Sequence, residues 1–238
     1  MRITALGSGD AFCSAGRGHT CWLVDDDRGS FTVDFGGTAL AALKRLGRDP
    51  DGISAIHFTH LHGDHVGGWP FFLVDAVYRA RRTRPLLVTG PQGTKECLQA
   101  LWAACYATAA ERPLPFPLEA RELAPGDRLE LLGRQVQVFR AQHMTPPWMA
   151  LSLRIGGLAF TGDTGSIPKG LCDGADLLCA ECTVAGESTD VHLGWETLRR
   201  SLPDVPRILL AHLGSDARAA IAPPPGVQVC DDFDAVEL

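Results

Sequence analysis

Directly after an apolar run from Ile53 to Phe58 the chain reads Thr59-His60-Leu61-His62-Gly63-Asp64-His65, and no other segment limits the fold as much. Three imidazoles and a carboxylate lie within six residues at a strand end. Such groups repel one another when protonated and compete for donors when neutral, unless a cation organises them. In extended backbone, residues two apart face the same side, so His60 and His62 can offer nitrogens to one cation. Gly63 would then let the chain turn sharply and carry Asp64 and His65 to a second position.

The flanking sequence supplies strands and helices to hold such a site. Arg2 to Leu6, Cys21 to Val24 and Ser30 to Val33 read as strands, the last two joined as a hairpin through Asp25-Asp26-Asp27-Arg28-Gly29. Thr38 can cap a helix through Leu46, and Pro70 suits the first turn of a helix running to about Arg82. A strand at Leu86 to Val88 and a helix from Gly93 to Tyr106 follow, before three prolines between Arg112 and Pro117 break the alternation. From Leu129 short strand runs return, at Gln135 to Phe139, Leu151 to Ile155, Leu158 to Phe160, Leu177 to Ala180 and Ile208 to Ala211, with a helix from Trp195 to Leu202. This pattern predicts mixed α and β structure, α/β or α+β, in a single domain over residues 1–238, with no repeat or long linker.

Composition narrows the setting. With 45% hydrophobic residues and 21% charged over 238 residues, the chain can bury a sizeable core. The longest apolar stretch, Trp69 to Val77, is too short and too interrupted to span a bilayer, so no membrane role is expected. The start of the chain lacks the features of a secretory signal, and eight scattered cysteines read as reduced thiols, which together predict a cytoplasmic protein. A net charge of −6 weighs against a dedicated nucleic-acid binder.

Further candidate ligands stand after other apolar runs: His143, Asp163 in Thr161-Gly162-Asp163-Thr164, and His212 in Ala211-His212-Leu213-Gly214. With them, His60, His62, Asp64 and His65 form a His-x-His-x-Asp-His motif that resembles the hallmark of the metallo-β-lactamase superfamily, and the later His, Asp and His arrive in that family's order. The resemblance runs from Leu6-Gly7-Ser8-Gly9-Asp10 and Val33-Asp34-Phe35-Gly36 to a last strand near Val236. It implies a four-layer αββα sandwich. It also implies that His60, His62 and His143 hold one divalent metal ion, that Asp64, His65 and His212 hold a second, and that Asp163 bridges them. Asp34 would steady the ligands by hydrogen bonds. Two cations about 3.5 to 4 Å apart can hold a bridging hydroxide at neutral pH and stabilise attacking and leaving oxygens. Nitrogen and carboxylate donors make zinc the first choice and also admit manganese or iron.

Within the superfamily the chain is most similar to the ribonuclease Z-like and small phosphodiesterase branch, through Gly7-Ser8-Gly9-Asp10, Thr161-Gly162-Asp163-Thr164 and Ala180-Glu181-Cys182-Thr183 followed by His192. That likeness implies that Glu181 orients His192 and that His192 donates a proton to the departing alkoxide, so Asp64, Glu181 and His192 form the expected catalytic set. Three positions depart from the branch: Ala180 replaces a histidine, Cys182 an alanine and Leu193 a serine. Only 19 residues separate His143 from Asp163, which leaves no room there for an RNA-gripping arm. A small-molecule phosphodiester is therefore expected as substrate and transfer RNA is not. Arg79, Arg81, Arg82 and Arg84 read first as cations pairing with a helix C-terminus, and Cys179 and Cys182 as thiols on a buried strand. A hydrolase of carboxylic esters, lactones or thioesters at the same metals, and a non-catalytic metal- or metabolite-binding protein, stand as alternatives. The sequence leaves oligomeric state open, a homodimer included.

Overall fold

A computed structural model describes residues 1–238. Strands β1 (Arg2–Gly7), β2 (Cys21–Asp26), β3 (Gly29–Val33), β4 (Ile53–His57), β5 (Leu86–Gly90) and β6 (Leu118–Glu122) pair in chain order as one sheet. A second sheet follows in the same manner from β7 (Arg128–Leu131), β8 (Arg134–Ala141), β9 (Ala150–Ile155), β10 (Leu158–Phe160), β11 (Leu177–Glu181), β12 (Arg207–Ala211) and β13 (Val227–Val229). The chain then returns to the first sheet as β14 (Ala235–Glu237), beside β1. Each sheet begins antiparallel and becomes parallel, at β3 in the first and at β10 in the second.

The inner parallel strands are apolar on both faces because both faces are covered. In β11, Leu177 and Cys179 face the other sheet while Leu178 and Ala180 face outward; in β12, Leu209 and Ala211 alternate in the same way with Ile208 and Leu210. The inner layer packs Ile3, Val24 and Val33 against Leu153, Phe160 and Leu177. Outside the first sheet, α1 (Ala39–Arg45), α2 (Gly63–Val66), α3 (Trp69–Val74), α4 (Thr94–Cys105) and α5 (Ala107–Ala110) build a second core around Leu43, Trp69, Phe72 and Trp102. Outside the second sheet, α6 (Trp195–Arg200) and α7 (Ser215–Ala220) cover a third core with Leu198 and Ala217. Burial of each large apolar side chain contributes about 1.5–3 kcal/mol. The result is the four-layer αββα sandwich that the resemblance implied. No helix is long and apolar enough to cross a membrane, and all eight cysteines are free.

The expected helix from Pro70 to Arg82 is shorter. It ends at Val74, passes into a π-helical turn at Asp75–Arg79 and reverses at Arg81, where φ is 52°. The buried Arg82 side chain explains the break. Its guanidinium donates to the carbonyls of Asp51, Ile53, Arg84 and Pro85 and to Asp51 Oδ1, tying together the segments that enter β4 and β5. The ring of Phe116, itself buried, lies 5.6 Å from that guanidinium, so the proline-rich segment serves packing. Arg79 and Arg84 pair with Asp75 and Asp51. The arginine cluster is thus largely committed to loops rather than to a helix end.

Candidate metal centre

The polar residues singled out in the sequence emerge at the carboxyl ends of neighbouring strands, the edge where sheets of this type bind ligands. Asp34 follows β3; His60, His62, Asp64 and His65 follow β4; His143 follows β8, Asp163 β10 and His212 β12, while Glu181 closes β11. Backbone bonds hold these loops together: Asp34 N–H donates to His57 C=O, Phe35 N–H to His65 C=O and Leu151 N–H to Thr59 C=O, at 2.7–2.8 Å. Gly162, at φ 57°, permits the last of these approaches, because a methyl there would meet Thr59 Cβ at 2.8 Å and Leu151 O at 2.9 Å. Gly63 does not work as the sequence suggested. It opens the helical turn α2, and added bulk there would meet nothing; the turn itself redirects Asp64 and His65. The crowded glycine is Gly36, where a methyl would lie 2.1 Å from Asp64 O.

Two donor groups result. His60, His62 and His143 form one, with His143 Nε2 3.1 Å from His62 Nδ1; Asp64, His65, Asp163 and His212 form the other. Asp163 faces both: Oδ1 lies 3.3 Å from His65 Nε2, while Oδ2 lies 3.4 Å from His212 Nε2 and 3.8 Å from both His60 Nε2 and His143 Nε2. Asp64 Oδ2 sits 3.2 Å from His212 Nε2 and 3.3 Å from His65 Nε2.

The outward nitrogens of four imidazoles are anchored. His60 Nδ1 meets Thr59 Oγ1 at 3.1 Å, His65 Nδ1 meets Asp34 Oδ2 at 2.8 Å, His143 Nδ1 meets Val191 C=O at 2.9 Å and His212 Nδ1 meets Thr183 Oγ1 at 2.8 Å. A carboxylate or carbonyl only accepts, so Nδ1 of His65 and of His143 carries a proton and Nε2 is the nitrogen left to face the interior. The same device occurs in both sheets. Thr59 Oγ1 donates to Asp34 and Thr183 Oγ1 donates to Glu181, which leaves each hydroxyl oxygen to accept from a histidine. Neither threonine stood out in the sequence, because a hydroxyl one or two residues from a ligand carries no pattern of its own. Asp34 and His212 both sit at positive φ, 61° and 53°, a conformation such residues adopt only where the surroundings impose it.

Glu181, buried, accepts from Thr164 N–H at 2.7 Å and lies 3.0 Å from His192 Nδ1, so the expected pair is in contact. His192 Nδ1 is also 4.0 Å from Asp163 Oδ2. Charge divides the site. Burial, reinforced by neighbouring imidazoles, pulls His60 well below the usual histidine range and lowers His62. At His212 burial acts in the same direction but the carboxylates of Asp163 and Asp64 outweigh it and push the imidazole up to about 9; His65 is raised likewise by Asp163 and Asp34. Burial opposes ionisation of Asp64 and Asp163, yet the hydrogen bond between His212 and Asp64 and the positive charge of His65 and His212 hold both carboxyls below the ordinary range. Burial also opposes protonation of His192, where Glu181 reverses the balance and raises it.

The donor set fits divalent cations. His60 Nε2 and His65 Nε2 are buried without any hydrogen-bond partner and face the carboxylate of Asp163, an arrangement costly unless something accepts their lone pairs.

A family model described as "Anti-Pycsar protein Apyc1" matches residues 1–221. The chain belongs to that family. Ribonuclease Z of Mycobacterium bovis is 29% identical over 193 residues, which are 76% of this chain and 67% of that protein. The chain spans between 45% and 67% of the length of the first Ribonuclease Z relatives it matches. Among solved structures, the short form of human tRNase Z superposes with a TM-score of 0.78 at 23% identity, covering 100% of this chain and 99% of that one. A diphosphatase from the PhnP family gives 0.74 at 19% identity, covering 100% and 97%. These likenesses establish the metallo-β-lactamase fold. They also overturn the expectation of a small-molecule substrate with transfer RNA set aside. That expectation rested on the short connection from His143 to Asp163 and on net charge, yet a protein named tRNase Z matches this chain end to end, and sequence relatives bear the name Ribonuclease Z.

Proposed function

We propose that residues 1–238 form one hydrolase domain that cleaves phosphodiester bonds with two divalent cations, zinc foremost. The observation that carries this reading is the meeting of two donor groups on Asp163, with the inward nitrogens of His60 and His65 unpartnered. His60, His62 and His143 would hold one cation, Asp64, His65 and His212 the other, and Asp163 both. Bound cations supply an activated water at neutral pH and positive charge opposite the phosphoryl oxygens.

The remaining work falls to the chain. Thr164 N–H and Thr183 fix Glu181, and Glu181 fixes His192 through Nδ1, leaving the other ring nitrogen to protonate the departing alkoxide. A phosphodiester needs this assistance because an alkoxide leaves poorly, whereas an activated ester does not. The names of the relatives support a phosphodiester and place transfer RNA among the substrates to assay. The test combines metal analysis of the purified protein with turnover of bis(p-nitrophenyl) phosphate and of a precursor transfer RNA bearing a 3′ trailer. Cleavage of a phosphodiester, abolished by chelator and restored by zinc, is expected. Turnover confined to thioesters or lactones refutes the proposal.

A further inference from the structure

Outside the first sheet, α3, α4, α5 and β6 border a groove of about 280 Å³ that shares no residue with the imidazole cluster. Its lining is mostly apolar. Trp69 and Leu73 of α3 and Leu98 and Trp102 of α4 are buried, while Leu114 and Leu118 are half-buried and keep part of their surface open to the groove. Trp69 Nε1 donates to Leu98 C=O at 3.1 Å, so that ring brings no unpaired donor. Lys95 shares a face of α4 with Leu98 and Trp102, three and seven residues further on.

The charge here has one sign. Lys95 and Arg112 are the charged side chains that line the groove, and both are exposed cations. Neither forms an ion pair. Lys95 meets Glu122 only through its backbone N–H, and Arg112 closes a turn on Ala109 C=O by its own N–H. On a chain of net charge −6, where Arg48, Arg121 and Arg199 each pair with a neighbouring carboxylate, two unpaired cations beside one apolar groove attract an anion. The volume sits near the lower bound of about 300 Å³ for small-molecule pockets, which suits a ligand of modest size and not a partner's helix.

We propose that this groove binds a small amphipathic acid, a medium-chain or aryl carboxylate. Its apolar body lies among Trp102, Leu114 and Leu118, and its carboxylate takes the positive rim supplied by Lys95 and Arg112. A neutral hydrocarbon forfeits the attraction of the rim, and a small inorganic anion forfeits the apolar contact. The site is separate from the metal centre, and the inference stands independently of the phosphodiesterase reading.

Calorimetric titration of the zinc-loaded chain with sodium octanoate tests it, with hexanoate, acetate and octyltrimethylammonium as comparison ligands. Octanoate is expected to bind about 10-fold more tightly than hexanoate, the gain from two further buried methylenes. Acetate offers the metal centre the same carboxylate without a chain, and octyltrimethylammonium carries the chain with the opposite charge; both are expected to bind at least about 10-fold more weakly than octanoate. The double variant Lys95→Glu, Arg112→Glu changes two exposed side chains, and should lower octanoate affinity by about 5-fold or more with zinc content unchanged. Absence of octanoate binding at millimolar concentration overturns the proposal. So does equal affinity in wild type and double variant, or equal affinity for the octyl cation. A wild-type dimer that Leu114→Glu converts to monomer in sedimentation also overturns it, because the groove then belongs to a second copy of the chain.

Discussion

Replacement of Asp34 by asparagine keeps the shape of the side chain and changes only what one of its two ends can do. Oδ1 accepts from Thr59 N–H at 2.8 Å and Oδ2 accepts from His65 Nδ1–H at 2.8 Å, while the Thr59 hydroxyl donates between them. An amide must turn its NH2 toward one of these donors. Facing Thr59 N–H it loses a hydrogen bond made to a charged acceptor, about 1.5–3 kcal/mol. Facing His65 it drives the imidazole proton to Nε2 and removes the lone pair that points into the site. The expected loss of cation affinity is 10- to 100-fold, equivalent to about 1.4–2.7 kcal/mol, so both routes agree in size. Competition of zinc against a chromophoric chelator measures it. Asp26→Asn provides the control, because Asp26 pairs with the buried Arg134, at 2.6 and 2.8 Å, and contacts no proposed ligand. Equal affinities in Asp34→Asn and wild type, with the chain folded, would show that Asp34 does not orient His65.

His192→Ala should retain both cations by metal analysis and slow cleavage of a diester with an alkoxide leaving group, such as the precursor transfer RNA, by about 10²- to 10⁴-fold, the usual span for a positioned proton donor, while p-nitrophenyl diesters, whose leaving group departs unaided, slow far less; undiminished cleavage of the alkoxide diester removes His192 from the chemistry. Thr183→Val cuts both the His212 anchor and a partner of Glu181, and should weaken zinc binding by about 10- to 100-fold in the same competition assay. His57 is buried against Thr89 Oγ1 at 2.8 Å, and burial lowers its imidazole to about 4. Because the unfolded chain protonates near the ordinary value of about 6.5, this contribution is intact above that pH and is lost as pH falls toward 4, about 3 kcal/mol in all. Denaturant unfolding of metal-free protein at pH 7 and pH 4.5 should show a smaller difference in His57→Gln than in wild type, and equal differences refute the assignment. Arg82→Ala should cost about 1–3 kcal/mol, because it strands the buried carbonyl of Ile53 and removes a partner from the carbonyls of Asp51 and Pro85; a change below about 0.5 kcal/mol in chemical denaturation counts against that role.

The crowding of His60, His62, Asp64 and His65 after an apolar strand made the site legible, because few other physical arrangements tolerate it. The order of the later His143, Asp163 and His212 then carried the fold. What escaped was structure whose cause lies elsewhere in the chain. β6, Leu-Glu-Ala-Arg-Glu, reads as charged and solvated, and it is a strand because β5 offers a free edge and a charged edge strand is protected from further pairing. The break after Val74 depends on Arg82 finding carbonyls near β4 and β5, which no helical period records. Thr59 and Thr183 gained their roles only from the carboxylates that folding placed beside them.

Each proposed cation draws donors from both halves of the sandwich: His60 and His62 from the first sheet with His143 from the second, Asp64 and His65 from the first with His212 from the second. Loading the centre therefore rivets the two sheets at one rim, and free cation at about 100 times its dissociation constant would add about 2.7 kcal/mol against unfolding. The coupling also runs in reverse. A substitution that loosens contacts between the sheets, such as Leu177→Ala in the inner layer at the opposite end of β11 from Glu181, alters the spacing of the two halves of each cage, so metal uptake becomes a gauge of how well the interior is packed.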